Sequence, residues 1–300
     1  MGMSSLVIIN LCTEEQEEYS KGVISVHWGA FFMRKMKIIN SDKIKNKLLE
    51  NIKKNTDKKI LIIYQTEDKS VIQYKNSIIK RCKEFNIQYD DKEFDKSRNH
   101  FDILSYIKNV KDCDGFILLQ PLSENTNLSF LREYIKLRDL DGFTYNSLGK
   151  IMDKDFSNIP QTAKSVIRFL KFLNVELESK DIVIANSNNV IGKPLAMYLS
   201  AKKATVTLFN SKTKNQREKI KKCDIFISAI GKPHYYDKTY FRDGQILIDV
   251  GMSFEDGKLR GDINRSTLQN LDIVLIPAIS GVGSITTLSL LETLVNEKEI

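Results

Sequence analysis

A series of continuous apolar runs of strand length, separated by segments of helical character, constrains this chain more than any other feature. The first two are KILIIYQT (Lys59–Thr66) and GFILLQPL (Gly115–Leu122). Five more strands are expected at Asp181–Asn186, Ala204–Asn210, Asp224–Ala229, Gln245–Val250 and Asp272–Ile276. Runs without polar alternation mark strands covered on both faces, and their alternation with helices implies parallel α/β sheets. Helical spacing is clearest at SDKIKNKLLENIKK, where Ile44, Leu48 and Ile52 recur every fourth residue behind a capping serine. Further helices are expected at about Ser70–Phe85, at Leu128–Leu137 and from Thr162. The five strands after residue 180 suffice for one Rossmann-like doubly wound domain, and two or three before residue 120 for a smaller α/β domain. Gly149–Thr162 is the expected hinge. A length of 300 residues suits two cores.

Composition narrows the function. The chain is 42% hydrophobic and 28% charged, with a formal charge of +8. Its lysines are mixed with Asp and Glu, and no basic–aromatic stripe suggests a nucleic-acid partner. The positive bias suits an anionic small molecule. No apolar run approaches the ~20 residues of a membrane span. Cys12, Cys82, Cys113 and Cys223 are scattered, as expected of free thiols in a reducing compartment, with a cytoplasmic location the first expectation and an organelle the other. His27, His100 and His234 have no metal-ligand spacing, so the chemistry is expected to avoid histidine and metals. The opening residues Met1–Arg34 contain EEQEEY, too acidic for a typical transit peptide.

IVIANSNNVIGKP (Ile182–Pro194) reads as a buried strand entering a helix, the place where a dinucleotide phosphate sits in doubly wound folds. Such turns usually carry early glycines; this one has its only glycine, Gly192, late. Two readings stay open: a nucleotide site with altered chemistry, or a structural strand–helix corner.

Six motifs in order then point to one family. DGFILLQPL is similar to D-G-I-L-V-Q-L-P-L, RDLDGF to K-D-V-D-G-F, and KATVTLFNSKTKN to A-T-V-T-x-x-H-S-x-T. AIGKPHYY is similar to A-V-G-K-P, DGQILIDVGMSFEDGKLRGDI to G-A-x-V-I-D-V-G-I-N…G-D-V, and PAISGVGSITTLSLLETL to the closing P-x-P-G-G-V-G-P-M-T loop and helix. From Lys37 to its C-terminus the chain resembles the bifunctional methylenetetrahydrofolate dehydrogenase/methenyltetrahydrofolate cyclohydrolases. The resemblance implies a folate-binding catalytic domain at 37–156 rejoined by 284–300, an NAD(P)-binding domain at 157–283, and an N-terminal extension at 1–36. It also implies a tetrahydrofolate substrate, NADP or NAD as cofactor, and a homodimer formed through the nucleotide domains.

Residue by residue, the family loop G-R/A-S-x-x-V-G-x-P places Asn186 on the first glycine, Ser187 and Asn188 after it, and Gly192 in register. A one-residue shift would put Ser187 on the family serine. Ser211, Lys212 and Met252 fall on the cofactor side, and Lys212 would favour a 2′-phosphate. In the folate pocket the family's Y-x-x-x-K keeps its tyrosine as Tyr74, but the lysine position is Ile78. The family's strand-end glutamine aligns with Leu119. Gln120 follows on the opposite side by strand alternation, unless a bulge turns it. Asp141 stands where the family's aspartate holds the pterin, and Gly281, Val282 and Gly283 stand in the closing loop. Tyr74 and Asp141 are thus the expected catalytic and substrate-binding pair, with Gln120 beside them. Lys75, Lys80 and Arg81 are poorly placed to replace the missing lysine. The expected activity is NAD(P)-dependent oxidation of 5,10-methylenetetrahydrofolate with an impaired cyclohydrolase step. The alternative is an inactive homologue that binds a ligand or partner. An unrelated Rossmann-type oxidoreductase acting on shikimate-like acids shares the sheet but not the folate motifs.

Overall fold

The computed structural model describes residues 35–52 and 57–296. The acidic segment Met1–Arg34 lies outside the described residues, as do the last four residues of the C-terminal segment.

In chain order the described elements are β1 (Lys37–Ile38), α1 (Asp42–Ile52), β2 (Lys59–Tyr64), α2 (Lys69–Glu84), β3 (Gln88–Glu93), α3 (His100–Asn109), β4 (Gly115–Leu118), α4 (Leu128–Tyr134) and α5 (Tyr145–Met152). There follow α6 (Gln161–Phe172), β5 (Asp181–Ala185), α7 (Gly192–Ala201), β6 (Thr205–Leu208), α8 (Gln216–Lys222), β7 (Ile225–Ser228), β8 (Ile246–Asp249), β9 (Met252–Glu255), β10 (Lys258–Gly261), β11 (Val274–Ile276) and α9 (Gly283–Val295). A six-stranded sheet has the order β1-β11-β8-β7-β5-β6, and a three-stranded sheet has the order β3-β2-β4. All pairings within both sheets are parallel. Covered on both faces, the inner strands needed unbroken apolar sequence, which is why they were legible as runs.

The chain therefore has the α/β, doubly wound architecture expected. The short β1, at the head of the segment 37–156, hydrogen-bonds to β11 at the edge of the large sheet. β3, with the sequence QYDDKE, is a charged edge strand of the small sheet, where polar side chains discourage further strand pairing. The last helix packs against α1, α2 and α6, and Leu288, Leu290, Leu291 and Leu294 are fully buried. Its polar positions, Glu292 apart, are small hydroxyl residues, and Thr286, Thr287, Ser289 and Thr293 are buried with the leucines, as that central position requires.

Cys82, Cys113 and Cys223 are free thiols. Burial pushes the thiols of Cys82 and Cys223 up to about 12, so both stay protonated and inert at neutral pH.

Candidate active site

The α2 helix begins at Asp68, whose carboxylate accepts the Ser70 amide, and turns Val71, Ile78 and Cys82 into the core. Tyr74, one turn before Ile78, lies at the edge of that stripe, half-buried. The turn after β4 supplies the facing wall. Strand pairing ends at the Ile63–Leu118 register, so the alternation that set Gln120 opposite Leu119 no longer holds beyond it. Both Leu119 and Gln120 line the cleft.

Asp141 enters on the loop between α4 and α5. Gly142 beside it has φ +64°, and a Cβ there would lie 2.6 Å from Pro160 Cδ, so backbone conformation and contact both demand glycine. Asp141 Oδ1 accepts the Gln161 amide at 2.7 Å, tying the aspartate to the start of α6. Burial pushes its carboxyl up to about 7; the Gln161 amide opposes this and the charge of Asp139 adds to it. Burial and the charge of Asp141 hold the Tyr74 phenol well above its usual range.

These residues share one cleft of about 840 Å³, whose walls include Tyr74, Leu119, Gln120, Asp141, Thr162 and the turn Asn188–Ile191. A pocket of this size suits a bicyclic ring and its substituent. Ile78 does not line the cleft: it is fully buried in the core cluster that also holds Val71, Leu119 and Leu140. The i+4 position thus sits deeper in the helix–sheet interface than Tyr74. Of the α2 cations weighed as replacements, Lys75 and Arg81 are engaged elsewhere. Lys75 donates to the Tyr64 hydroxyl and pairs with Asp91, and Arg81 pairs with Glu84.

Gly281 and Val282 are buried, and Val282 belongs to the core; neither they nor Gly283 are among the residues lining the cleft. Gly283 instead packs on Met252, whose Cε lies 2.8 Å from where a Cβ would stand. These two positions, read separately from sequence, are neighbours.

The nucleotide-side turn begins where β5 ends, at the switch between β6 on one side and β7 on the other. Gly192 is required for close packing, since a Cβ there would lie 2.2 Å from the Asn186 carbonyl oxygen. The asparagines occupy much of this turn's donor capacity. Asn186 Oδ1 accepts the amides of Asn188 at 2.9 Å and Gly192 at 3.1 Å, while its Nδ2 donates to the Ala229 carbonyl across the switch point. Asn188 Oδ1 accepts the amides of Val190 and Ile191. Ser187 is half-buried beside them, and Ser211 and Lys212 are exposed beyond β6. The frame thus fits a dinucleotide: a helix N-terminus at a switch point, with a hydroxyl and a cation beyond the neighbouring strand. Its phosphate turn is altered, because amides that would face an anion already have side-chain acceptors.

Sequence reasoning missed two residues. Lys164 is buried on α6 and donates to Thr293 Oγ1 at 2.9 Å; burial, then the charge of Arg168, draws its pKa down to about 8. Gln161 joins it to the cleft, donating to the Leu140 carbonyl and to Thr293 Oγ1 while its amide holds Asp141. A lysine in a helix gives no sequence sign of being turned inward.

Comparison with known proteins assigns the family. Residues 160–300 match the family described as tetrahydrofolate dehydrogenase/cyclohydrolase, NAD(P)-binding domain. The bifunctional protein FolD of Clostridium botulinum is 32% identical over 277 residues, covering 88% of this chain and 98% of that protein. The crystal structure of the bifunctional FolD enzyme from Campylobacter jejuni superposes with a TM-score of 0.80 at 25% identity, covering 87% of this chain and 97% of that one. The Trypanosoma brucei enzyme, solved with NADP and an inhibitor, shares the fold with a TM-score of 0.80 at 19% identity, over 87% and 97% of the two chains. With the ordered motifs, the doubly wound sheet and this coverage, the chain belongs to the bifunctional FolD family of methylenetetrahydrofolate dehydrogenase/cyclohydrolases.

Proposed function

We propose that the protein oxidises 5,10-methylenetetrahydrofolate to 5,10-methenyltetrahydrofolate with NADP or NAD as acceptor, and that the hydrolysis which follows in the family is strongly impaired. One observation carries this reading: Tyr74 and Asp141 line a cleft that reaches the nucleotide turn, while the family's lysine and glutamine positions are the buried aliphatics Ile78 and Leu119. A bound nicotinamide supplies the hydride acceptor. Tyr74 then packs on the pterin, the Asp141 carboxylate accepts its ring N–H groups, and Leu118, Leu119 and Leu122 exclude water. Hydride transfer needs aligned rings and little proton traffic. Hydrolysis of the methenyl cation needs an activated water and a protonated ring nitrogen, where a placed acid/base contributes ~10²–10⁴-fold.

The folate-side half is assigned to 37–156 with the C-terminal segment from 284, and the nucleotide half to 157–283. Ser187, Ser211, Lys212 and Met252 border the cofactor. A second reading, a homologue that binds ligand or partner without turnover, draws support from the occupied phosphate turn. Purified protein given methylenetetrahydrofolate and either nicotinamide, followed by absorbance of the reduced cofactor, separates the two. Folate binding without reduction of either cofactor favours the second.

NADP binding is expected to be weak. Substituting Asn186→Gly frees the Asn188 and Gly192 amides for phosphate. Hydrogen bonds to a charged group are worth about 1.5–3 kcal/mol, so affinity should rise by about tenfold or more. Calorimetry that finds no gain contradicts this account of the turn. The family resemblance also carries a homodimer through the nucleotide halves; a monomeric mass by light scattering at micromolar concentration would exclude it.

A further inference from the structure

Behind the Asp139–Asp141 turn lies a second cavity, of about 520 Å³, with mostly polar walls. It is bordered by Arg132, Lys136, Arg138, Tyr145 and Asn146 among others, and Arg132 is the one residue that also lines the folate cleft. Arg132 is 9% exposed, its guanidinium lies 4.8 Å over the Phe143 ring, and its buried Nη1 has no hydrogen-bond partner among the described residues.

Asp139, Arg138, Lys136 and Lys150, four of the charged groups around it, are committed. Asp139 accepts the Asp141 and Thr144 amides and the hydroxyls of Thr144 and Ser147. Arg138 donates to the carbonyls of Thr293, Leu294 and Asn296 at the end of α9. Lys136 donates to the Glu133 carbonyl, and Lys150 faces Asp155. A buried guanidinium short of partners is costly unless something completes it.

We propose that this cavity is a carboxylate site organised by Arg132. A guanidinium meets both oxygens of a planar carboxylate through paired N–H groups. The first turn of α5 borders the cavity and adds the positive end of a helix. Glu133 and Asp139 also face it, so a carboxylate, which brings one negative charge to the guanidinium, fits better than phosphate, which brings up to two on a single group. The carboxylate belongs either to a free small acid or to the glutamate end of a folate entering past Arg132; the latter source rests on the function proposed above.

The test uses the full chain in carboxylate-free buffer, with acetate, glutarate and phosphate as probes, read by thermal unfolding and calorimetry. Without carboxylate, Arg132→Met should melt at or above wild type, because it removes an incompletely paired buried charge. Glutarate should raise the wild-type midpoint and reverse that order, and Arg132→Met should lose about tenfold or more in affinity. Arg98→Met, at an exposed position, should behave as wild type. Should the methionine variant fail to fold, Arg132→Lys keeps the charge without the fork and should still bind about tenfold more weakly. Competition of glutarate with tetrahydrofolate but not with glutamate-free tetrahydropteroate assigns the group to the folate; competition with neither assigns a free acid. The proposal is overturned by no glutarate effect on wild type, by equal effects on Arg132→Met, or by tighter phosphate binding. If neither folate binds, the proposed function fails while the glutarate arm still decides this site.

Discussion

Wild-type protein is expected to hydrolyse 5,10-methenyltetrahydrofolate at close to the uncatalysed rate, even with folate bound. The family's proton-transfer lysine and its glutamine neighbour are replaced by Ile78 and Leu119, 0% and 4% exposed in one core cluster. Loss of a placed acid/base removes about 10²–10⁴-fold of rate. Ile78→Lys alone should not restore it, because an ammonium forced into that apolar core is buried without a partner and destabilises the fold by several kcal/mol. Ile78→Lys with Leu119→Gln supplies the partner that orients the amine and tunes its pKa. The double variant should melt below wild type yet hydrolyse the methenyl substrate about tenfold faster or more. Robust wild-type hydrolysis surviving Ile78→Ala would mean that another residue transfers the proton. Lys164, joined to Asp141 through Gln161 and Thr293, is then the first to test, followed by Gln120.

Asp141 should control substrate affinity and give it a pH dependence. Asp141→Ala removes an acceptor for two ring N–H groups, and at about 1.5–3 kcal/mol for each charge-assisted bond the affinity should fall by about 100-fold or more. The carboxyl, pushed up to about 7, is protonated below that pH and then presents a donor where an acceptor is needed. Folate affinity should therefore rise as pH passes upward through about 7, and Asp141→Asn should flatten the profile. The same shift fixes the sign for stability. Between the ordinary carboxyl value of 3.8 and about 7, the unfolded chain is ionised while the folded one holds its proton. The free protein should lose stability across that window as pH rises, and Asp141→Asn should lose less. Binding by wild type that does not change between about pH 6 and about pH 8 would remove Asp141 from the pterin contact.

The buried parallel strands were legible because burial on both faces leaves an unbroken apolar run, and the family motifs fixed their order. β3 was not legible, since an edge strand carrying Asp90, Asp91 and Lys92 has neither alternation nor an apolar run. The β9–β10 hairpin did carry a signal: Asp256-Gly257, both at positive φ, between two short strands. At the site, Tyr74 and Asp141 were found by motif and share the cleft as expected. The inward burial of Ile78 and Arg132 depends on how α2 and α4 rotate against the sheet, which helical spacing at two neighbouring positions does not determine. The double capping by Asn186 and Asn188 was equally invisible, because the sequence shows which groups can bond but not which amides they reach.

The central claim is that oxidation persists where hydrolysis has been lost. Its direct test follows reduced nicotinamide and methenyltetrahydrofolate together, in one reaction of wild-type protein with methylenetetrahydrofolate and NADP or NAD. The account predicts that the two products rise in equal amounts, with the methenyl compound decaying only at its spontaneous rate. Reduced nicotinamide forming while methenyltetrahydrofolate never accumulates, or no reduction at all with folate bound, would contradict it.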